Sequence, residues 1–263
     1  MARPQRTIRE VPWLWGLGGA LAGLALALLL FAPATWLAAG LAHATDGQVQ
    51  LADARGTLWN GSAQLVLTGG AGSRDAAALP GRLDWQLRPR WDGLAARVRP
   101  GCCMDRPAAM RARWRFGGMH LAVTDSESHW PASVAVGLGT PWNTLQLDGD
   151  LRLATRGLSV EWIEGRPSVT GRAELLGLRL ASRLSTVRPM GSYRMTLQGG
   201  TSTTLQLETL EGALQLSGSG QWVGSRLRFR GEATAAPERE AALANLLGII
   251  GRRSGARSLI TIG

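Results

Sequence analysis

The stretch "LQLSGSGQWVGSRLRFRGEATA", Leu214–Ala235, alternates apolar with small or polar residues at period two. That period marks a strand with one buried face. The alternation changes phase at Gly224-Ser225, and a two-residue turn placed there keeps it continuous. Antiparallel pairing then sets Trp222 opposite Leu227, Gly220 opposite Phe229, Gly218 opposite Gly231 and Leu216 opposite Ala233. The apolar residues of these pairs all fall on one face. Glycine at the first turn position suits a type II′ turn, which needs a positive φ there. A slip of one residue would turn the apolar face to water, so the register is well specified. Gly218, Gly220 and Gly231 leave bare backbone under Phe229 and let the sheet bend. The stretch reads as a hairpin in a curved sheet. Trp222, Leu227 and Phe229 are its candidate contact surface, either as ordinary sheet core or as one wall of a groove.

Similar patterns recur from residue 47 to the end. "VQLADARGTLWNGSAQLVL" (49–67) reads as a bent strand pair turning at Asn60-Gly61, and "GRLDWQLRP" (81–89) alternates Leu83, Trp85 and Leu87. "MRARWRFGGMHLAV" (110–123) reads as a hairpin broken at Gly117-Gly118. "LQLDGDLRLATRGLSVEW" (145–162), "SVTGRAELLGLRL" (168–180), "GSYRMTLQGG" (191–200) and "TTLQLETLEG" (203–212) continue the series. Segments 69–80 and 124–131 read as loops, and 125–143 as the junction of two sub-sheets. "PEREAALANLLGIIGRR" (237–253) is predicted to be one amphipathic helix, with Leu243, Leu246, Leu247 and Ile250 as its apolar stripe. Pro237 suits its first turn, Glu238 and Glu240 its positive end, and Arg252 and Arg253 its negative end. "SLITIG" closes the chain as a short strand.

The N-terminus sets the compartment. Arg3, Arg6 and Arg9 precede the run Pro12–Ala42, which carries no charge. A membrane helix needs about 20 apolar residues, and signal-peptide cores run to only about 7–15. An uncleaved anchor is therefore favoured over cleavage after Ala42-His43-Ala44. The basic flank belongs in the cytoplasm. Trp13, Trp15 and Trp36 suit the two interfaces, and Pro33 ends or kinks the helix.

The chain has 263 residues and a net charge of +10, and all its 29 basic residues are arginines. Arg, Ala and Gly abundance fits a GC-rich genome. The arginines are spread along strands and no nucleic-acid motif occurs, so no nucleic-acid partner is expected. No cofactor or metal is expected either. There is no H-E-x-x-H, no nucleophile elbow and no P-loop, which would need a lysine. "DSESHW" (125–130) is the one cluster suggestive of hydrolysis, and it reads as solvated loop. Cys102 and Cys103 in "PGCCM" lack metal-site spacing; they are a candidate disulfide or structural turn. Asn60-Gly61-Ser62 fits a glycosylation sequon but reads first as a turn.

"ARGTLWNGSA" (54–63), "PGCCM", "LGTPWNTLQLDGDL" (138–151), "RLSTVRPMGSYRMTLQGG" (183–200), "TLEGALQLSGSGQWVGSRLRFRGEA" (209–233) and "APEREAALANLLGIIGRRSGARSLITIG" (236–263) together resemble the type II secretion system protein N (GspN) family. The resemblance spans most of the chain in order. It implies a bitopic, non-enzymatic inner-membrane accessory of the pathway that moves folded proteins through an outer-membrane secretin. Its implied partners are the secretin, the inner-membrane platform proteins and membrane lipid, and it implies no catalytic residues. AsmA-like β-groove proteins, which handle lipid between membranes, are the second resemblance.

The expected fold is mainly β. An N-terminal transmembrane helix precedes a curved antiparallel sheet or partial barrel in the periplasm, with one C-terminal amphipathic helix. The expected divisions are a basic tail (1–10), an anchor (11–42) and a periplasmic domain (45–263).

Overall fold

The computed structural model describes residues 13–263 apart from 71, 116, 141, 164, 165 and 225. The expected basic tail, 1–10, lies outside the described residues. Two helices, α1 (Trp13–Leu30) and α2 (Ala34–Ala44), lead into the sheet. The strands of its first half are β1 (Val49–Gly56), β2 (Asn60–Thr68), β3 (Ala76–Ala78), β4 (Leu83–Arg90), β5 (Gly93–Pro100), β6 (Ala108–Arg115), β7 (Gly118–Val123) and β8 (Ser126–Pro131). A 3-10 turn (Ala132–Leu138) and the short α3 (Trp142–Leu145) follow. The second half holds β9 (Leu147–Ile163), β10 (Arg166–Ser182), β11 (Gly191–Gln198), β12 (Thr204–Gly212), β13 (Leu214–Val223), β14 (Arg226–Ala235), α4 (Glu240–Ile250), β15 (Arg252–Ser254) and β16 (Arg257–Ile262).

All 16 strands join one sheet, ordered β1-β2-β4-β5-β6-β7-β9-β10-β11-β12-β13-β14-β16-β15, with β3 on β2 and β8 on β9. Every pairing is antiparallel, so the sheet is a long meander, and its ends, β1 and β15, do not meet. Segment 125–143, expected to join two sub-sheets, forms β8 and the 3-10 turn, while β7 pairs directly with β9 through Leu121↔Val160. The curvature has a local cause. β9 and β10 run 17 residues each, and their register shifts between Thr170 and Arg172, where Gly157 (φ 55°) and Gly171 (φ 84°) face each other. Such a bulge bends the strand and raises its twist.

The sheet keeps one apolar face with two covered regions. Near the N-terminus, Leu37, Ala38 and Leu41 of α2 pack on Leu51, Ala63 and Trp85. Near the C-terminus, Leu243, Leu246 and Leu247 of α4 bury themselves on Leu214, Ala233, Met190 and Tyr193. The Tyr193 hydroxyl donates to the Leu214 carbonyl at 3.0 Å, and burial pushes its phenol well above the usual range.

Several local expectations are corrected. Asn60-Gly61 begins β2; the turn is Thr57–Trp59, because Gly61 pairs with Gly56 under the ring of Trp85. The 124–131 loop is largely β8, and 69–80 contains β3. The C-terminal helix starts at Glu240 because Glu238 takes a left-handed φ of 67°. It stops at an extended Gly251, so Arg252 and Arg253 belong to β15 rather than to a helix end. At the N-terminus the apolar run breaks at Phe31–Pro33, where Leu58 donates to the Ala32 carbonyl. Among the described residues, no helix is long and apolar enough to cross a membrane.

Candidate functional site

The opening hairpin forms β13 and β14, in the expected register: Leu216↔Ala233, Gly218↔Gly231, Gly220↔Phe229 and Trp222↔Leu227 are all partners. Gly224 takes the positive φ the turn requires, 64°. A Cβ on Gly218 would stand 2.5 Å from Phe229 Cζ, so the ring lies on bare backbone. Phe229 is only 5% exposed and belongs to the fold, whereas Trp222 and Leu227 are half-buried and offer surface.

The "DSESHW" cluster is dispersed by strand geometry. Alternation along β8 sends Ser126, Ser128 and Trp130 to one face and Glu127 and His129 to the other. Trp130 Nε1 donates to Ser128 Oγ at 2.7 Å, and Ser126 Oγ lies 3.1 Å from Thr155 Oγ1. Asp125 accepts from the Gly157 amide. Asp125, Ser126, Ser128 and Trp130 each have a structural partner, and Ser128 and His129 cannot act on one substrate atom from opposite faces. Cys102 and Cys103 are bonded to each other in the turn after β5, and the Cys103 carbonyl accepts from the His129 amide at 2.8 Å. Among the described residues, no three His, Cys, Asp or Glu side chains gather as metal ligands.

Two features of the faces were not assembled from sequence. The first is on the polar face. Arg88, Arg97, Arg111 and Arg113 surround a groove of about 460 Å³ on β4–β7. Cross-strand pairing alternates large with small there: Arg88↔Ala95↔Arg111↔Ala122. The signal was present in "RPR" (88–90), "RVR" (97–99) and "RARWR" (111–115), where arginines recur at i, i+2. Arg113 meets Asp92 at 3.3 Å and Arg115 meets Glu161 at 3.9 Å, while Arg88, Arg90, Arg97 and Arg111 have no acidic partner among the described residues. Nearer the N-terminus, the Arg82 and Arg55 guanidiniums hold the exposed Asp53 carboxyl below the usual carboxylate range.

The second feature is on the apolar face. Between the two covered regions, Met110, Leu121, Val123, Val160 and Trp162 are only half-buried, and neither cluster reaches them. The middle of the sheet therefore presents apolar side chains without an overlying element among the described residues.

The sheet is thus an open meander with one arginine-bearing face and one apolar face. Residues 47–259 match the model of the type II secretion system (T2SS), protein N family. The chain belongs to that family. The match covers the whole sheet from just before β1 to within β16, and so includes the hairpin and both faces. No curated protein and no solved structure matches the chain. Membership in the protein N family carries an accessory role in type II secretion, an association with the inner membrane and interaction with other components of that system.

Proposed function

We propose that this protein N homologue is a non-enzymatic, inner-membrane-anchored accessory that supports export of folded proteins by contacting the secretin or the inner-membrane platform. The family match over 47–259 carries this reading. The anchor is α1 within the uncharged run Pro12–Ala42, with the N-terminus cytoplasmic and the sheet periplasmic. α1 alone does not meet the length and apolarity of a spanning helix, and the reading rests on the uncharged run from Pro12 to Ala42, which exceeds the roughly 20 residues such a helix needs. From Leu17 to Leu30 its leucines are exposed all round the helix, as they would be against lipid.

Contact is assigned to the sheet's free edge and to its arginine face. β15 covers β16 only from Arg257 to Leu259, so Ile260–Ile262 keep an unpaired edge on which a partner strand could add. Leu227 lies on the neighbouring strand β14 and Trp222 one strand further, on β13, both on the apolar face. The arginine face would speed association with acidic surfaces. The test is a photo-crosslinking residue at Ile262 in cells running the secretion pathway. Crosslinks to secretin or platform proteins are expected, and crosslinks to neither would reject the edge as the contact.

A second reading is favoured by the uncovered apolar middle of the sheet around Met110, Leu121 and Trp162. That strip could hold an acyl chain, making the protein a lipid-handling β-groove like the AsmA type. Co-purified lipid that is lost on Leu121→Arg would support it.

A further inference from the structure

We infer that one end of the sheet is a membrane-resting surface: the end carrying the turns after β4, β6, β9 and β13 sits on the anionic headgroup layer of the bilayer that α1 enters. The inference rests on the anchor reading above and adds an orientation to it.

Strand direction groups these turns. Because every pairing is antiparallel, alternate connections of the meander lie at the same end. The C-terminal ends of β1, β4, β6, β9, β11 and β13 share one end of the sheet with the chain terminus, since Gly263 lies against Leu227. The connections 101–107 and 183–190 share the other. α1 arrives at the first end: Trp59 Nε1 donates to the Leu29 carbonyl at 2.7 Å, and Pro33 bridges to Thr57. From there α2 runs back along β1.

The side chains at this end have the composition of a membrane interface. Of the large apolar residues outside the two N-terminal helices, Trp91 (96% exposed), Trp114 (62%), Ile163, Val223 and Ile262 are exposed there. Trp91 caps the β4–β5 turn with nothing packed on it, a position that contributes nothing to the fold. Around them Arg88, Arg90, Arg226 and Arg228 have no acidic partner among the described residues, whereas Asp92 and Glu161 are each engaged by an arginine. Tryptophan rings favour the headgroup level, and unpaired arginines are drawn to anionic lipid. An ordinary protein-binding patch would not need to share its end with the anchor. This one does, and the sheet would then stand upright with its arginine and apolar faces roughly along the membrane normal.

The experiment uses the full chain in vesicles of phosphatidylethanolamine and phosphatidylglycerol, with single fluorescent labels at Trp91→Cys, Trp114→Cys, Leu24→Cys on α1, and Thr186→Cys at the opposite end. Cys102 and Cys103 are bonded to each other, so each introduced thiol is the one labelled. Brominated lipid should quench labels at 24, 91 and 114 several-fold more than the label at 186. Exchanging phosphatidylglycerol for phosphatidylcholine should weaken quenching at 91 and 114 but not at 24. A quenched label at 24 with labels at 91 and 114 as water-accessible as 186 would overturn this inference alone and leave that end to a protein partner. A water-accessible label at 24 would overturn the anchor and this inference together. Equal quenching of 91 and 114 in both lipid mixtures would refute the arginine contribution.

Discussion

Gly218→Ala tests whether the hairpin's glycines are there to admit Phe229. A methyl group at that position would meet Phe229 Cζ at 2.5 Å, the Arg230 carbonyl oxygen at 2.9 Å and Gly231 Cα at 2.9 Å. Two of those atoms are β14 backbone, so moving the ring alone relieves the closest contact but not the whole clash. Either β13 and β14 part, which sacrifices ladder hydrogen bonds at about 1 kcal/mol each, or the Phe229 ring leaves its site and forfeits about 2 kcal/mol of burial. Overpacking of this kind typically costs about 1–3 kcal/mol, so a loss of about 2–3 kcal/mol is expected. Urea unfolding of the full chain in mild detergent, followed by circular dichroism, reads it as a lower midpoint at unchanged slope. The coupling is diagnostic. Phe229→Ala alone should cost about 3–5 kcal/mol. Once the ring is gone, much of the Gly218→Ala penalty goes with it, so the double variant should fall about 1–2 kcal/mol short of the sum. A Gly218→Ala protein within about 0.5 kcal/mol of the parent, or strict additivity with Phe229→Ala, would refute the reasoning.

Leu246→Ala empties a 1%-exposed site between α4 and the sheet and should cost about 2–5 kcal/mol in the same unfolding assay. Tyr193→Phe removes the donor to the Leu214 carbonyl and should cost about 1 kcal/mol near neutral pH. Asp53 has a lowered carboxyl pKa in the fold, so its contribution is present above the usual value of 3.8 and is lost as pH falls through the folded value. Asp53→Asn should therefore be less stable than the parent at neutral pH, and the two should converge in strong acid. Ser128→Ala and His129→Ala should each leave export intact in a secretion assay, since neither side chain is placed for catalysis.

Legibility from sequence followed the range of the interactions involved. The β13–β14 hairpin was readable because its turn, its register and its apolar face all lie within 22 residues. The α4 stripe Leu243, Leu246, Leu247 was readable for the same reason. β8 was not, because "DSESHW" has no apolar period; it is a strand through backbone pairing with β9, whose partners lie from Thr155 back to Asp150. Asn60-Gly61 has good turn chemistry, but Gly61 serves a ring contributed by Trp85 on another strand. The arginine face was half legible. The i, i+2 spacing showed that each strand carries its arginines on one side, yet only cross-strand register shows that three strands turn them to the same side. The uncharged run Pro12–Ala42 is plain in the sequence, while the end of the sheet that α1 meets emerges only from the Trp59–Leu29 and Pro33–Thr57 contacts.

The central claim is an accessory role in export through contact, and deletion of this chain tests it most directly. Exported proteins would be assayed in periplasm and medium alongside outer-membrane permeability. The account predicts exported proteins held in the periplasm behind an intact barrier, with secretion restored by the parent chain. Normal export together with a leaky outer membrane would contradict it and favour lipid handling.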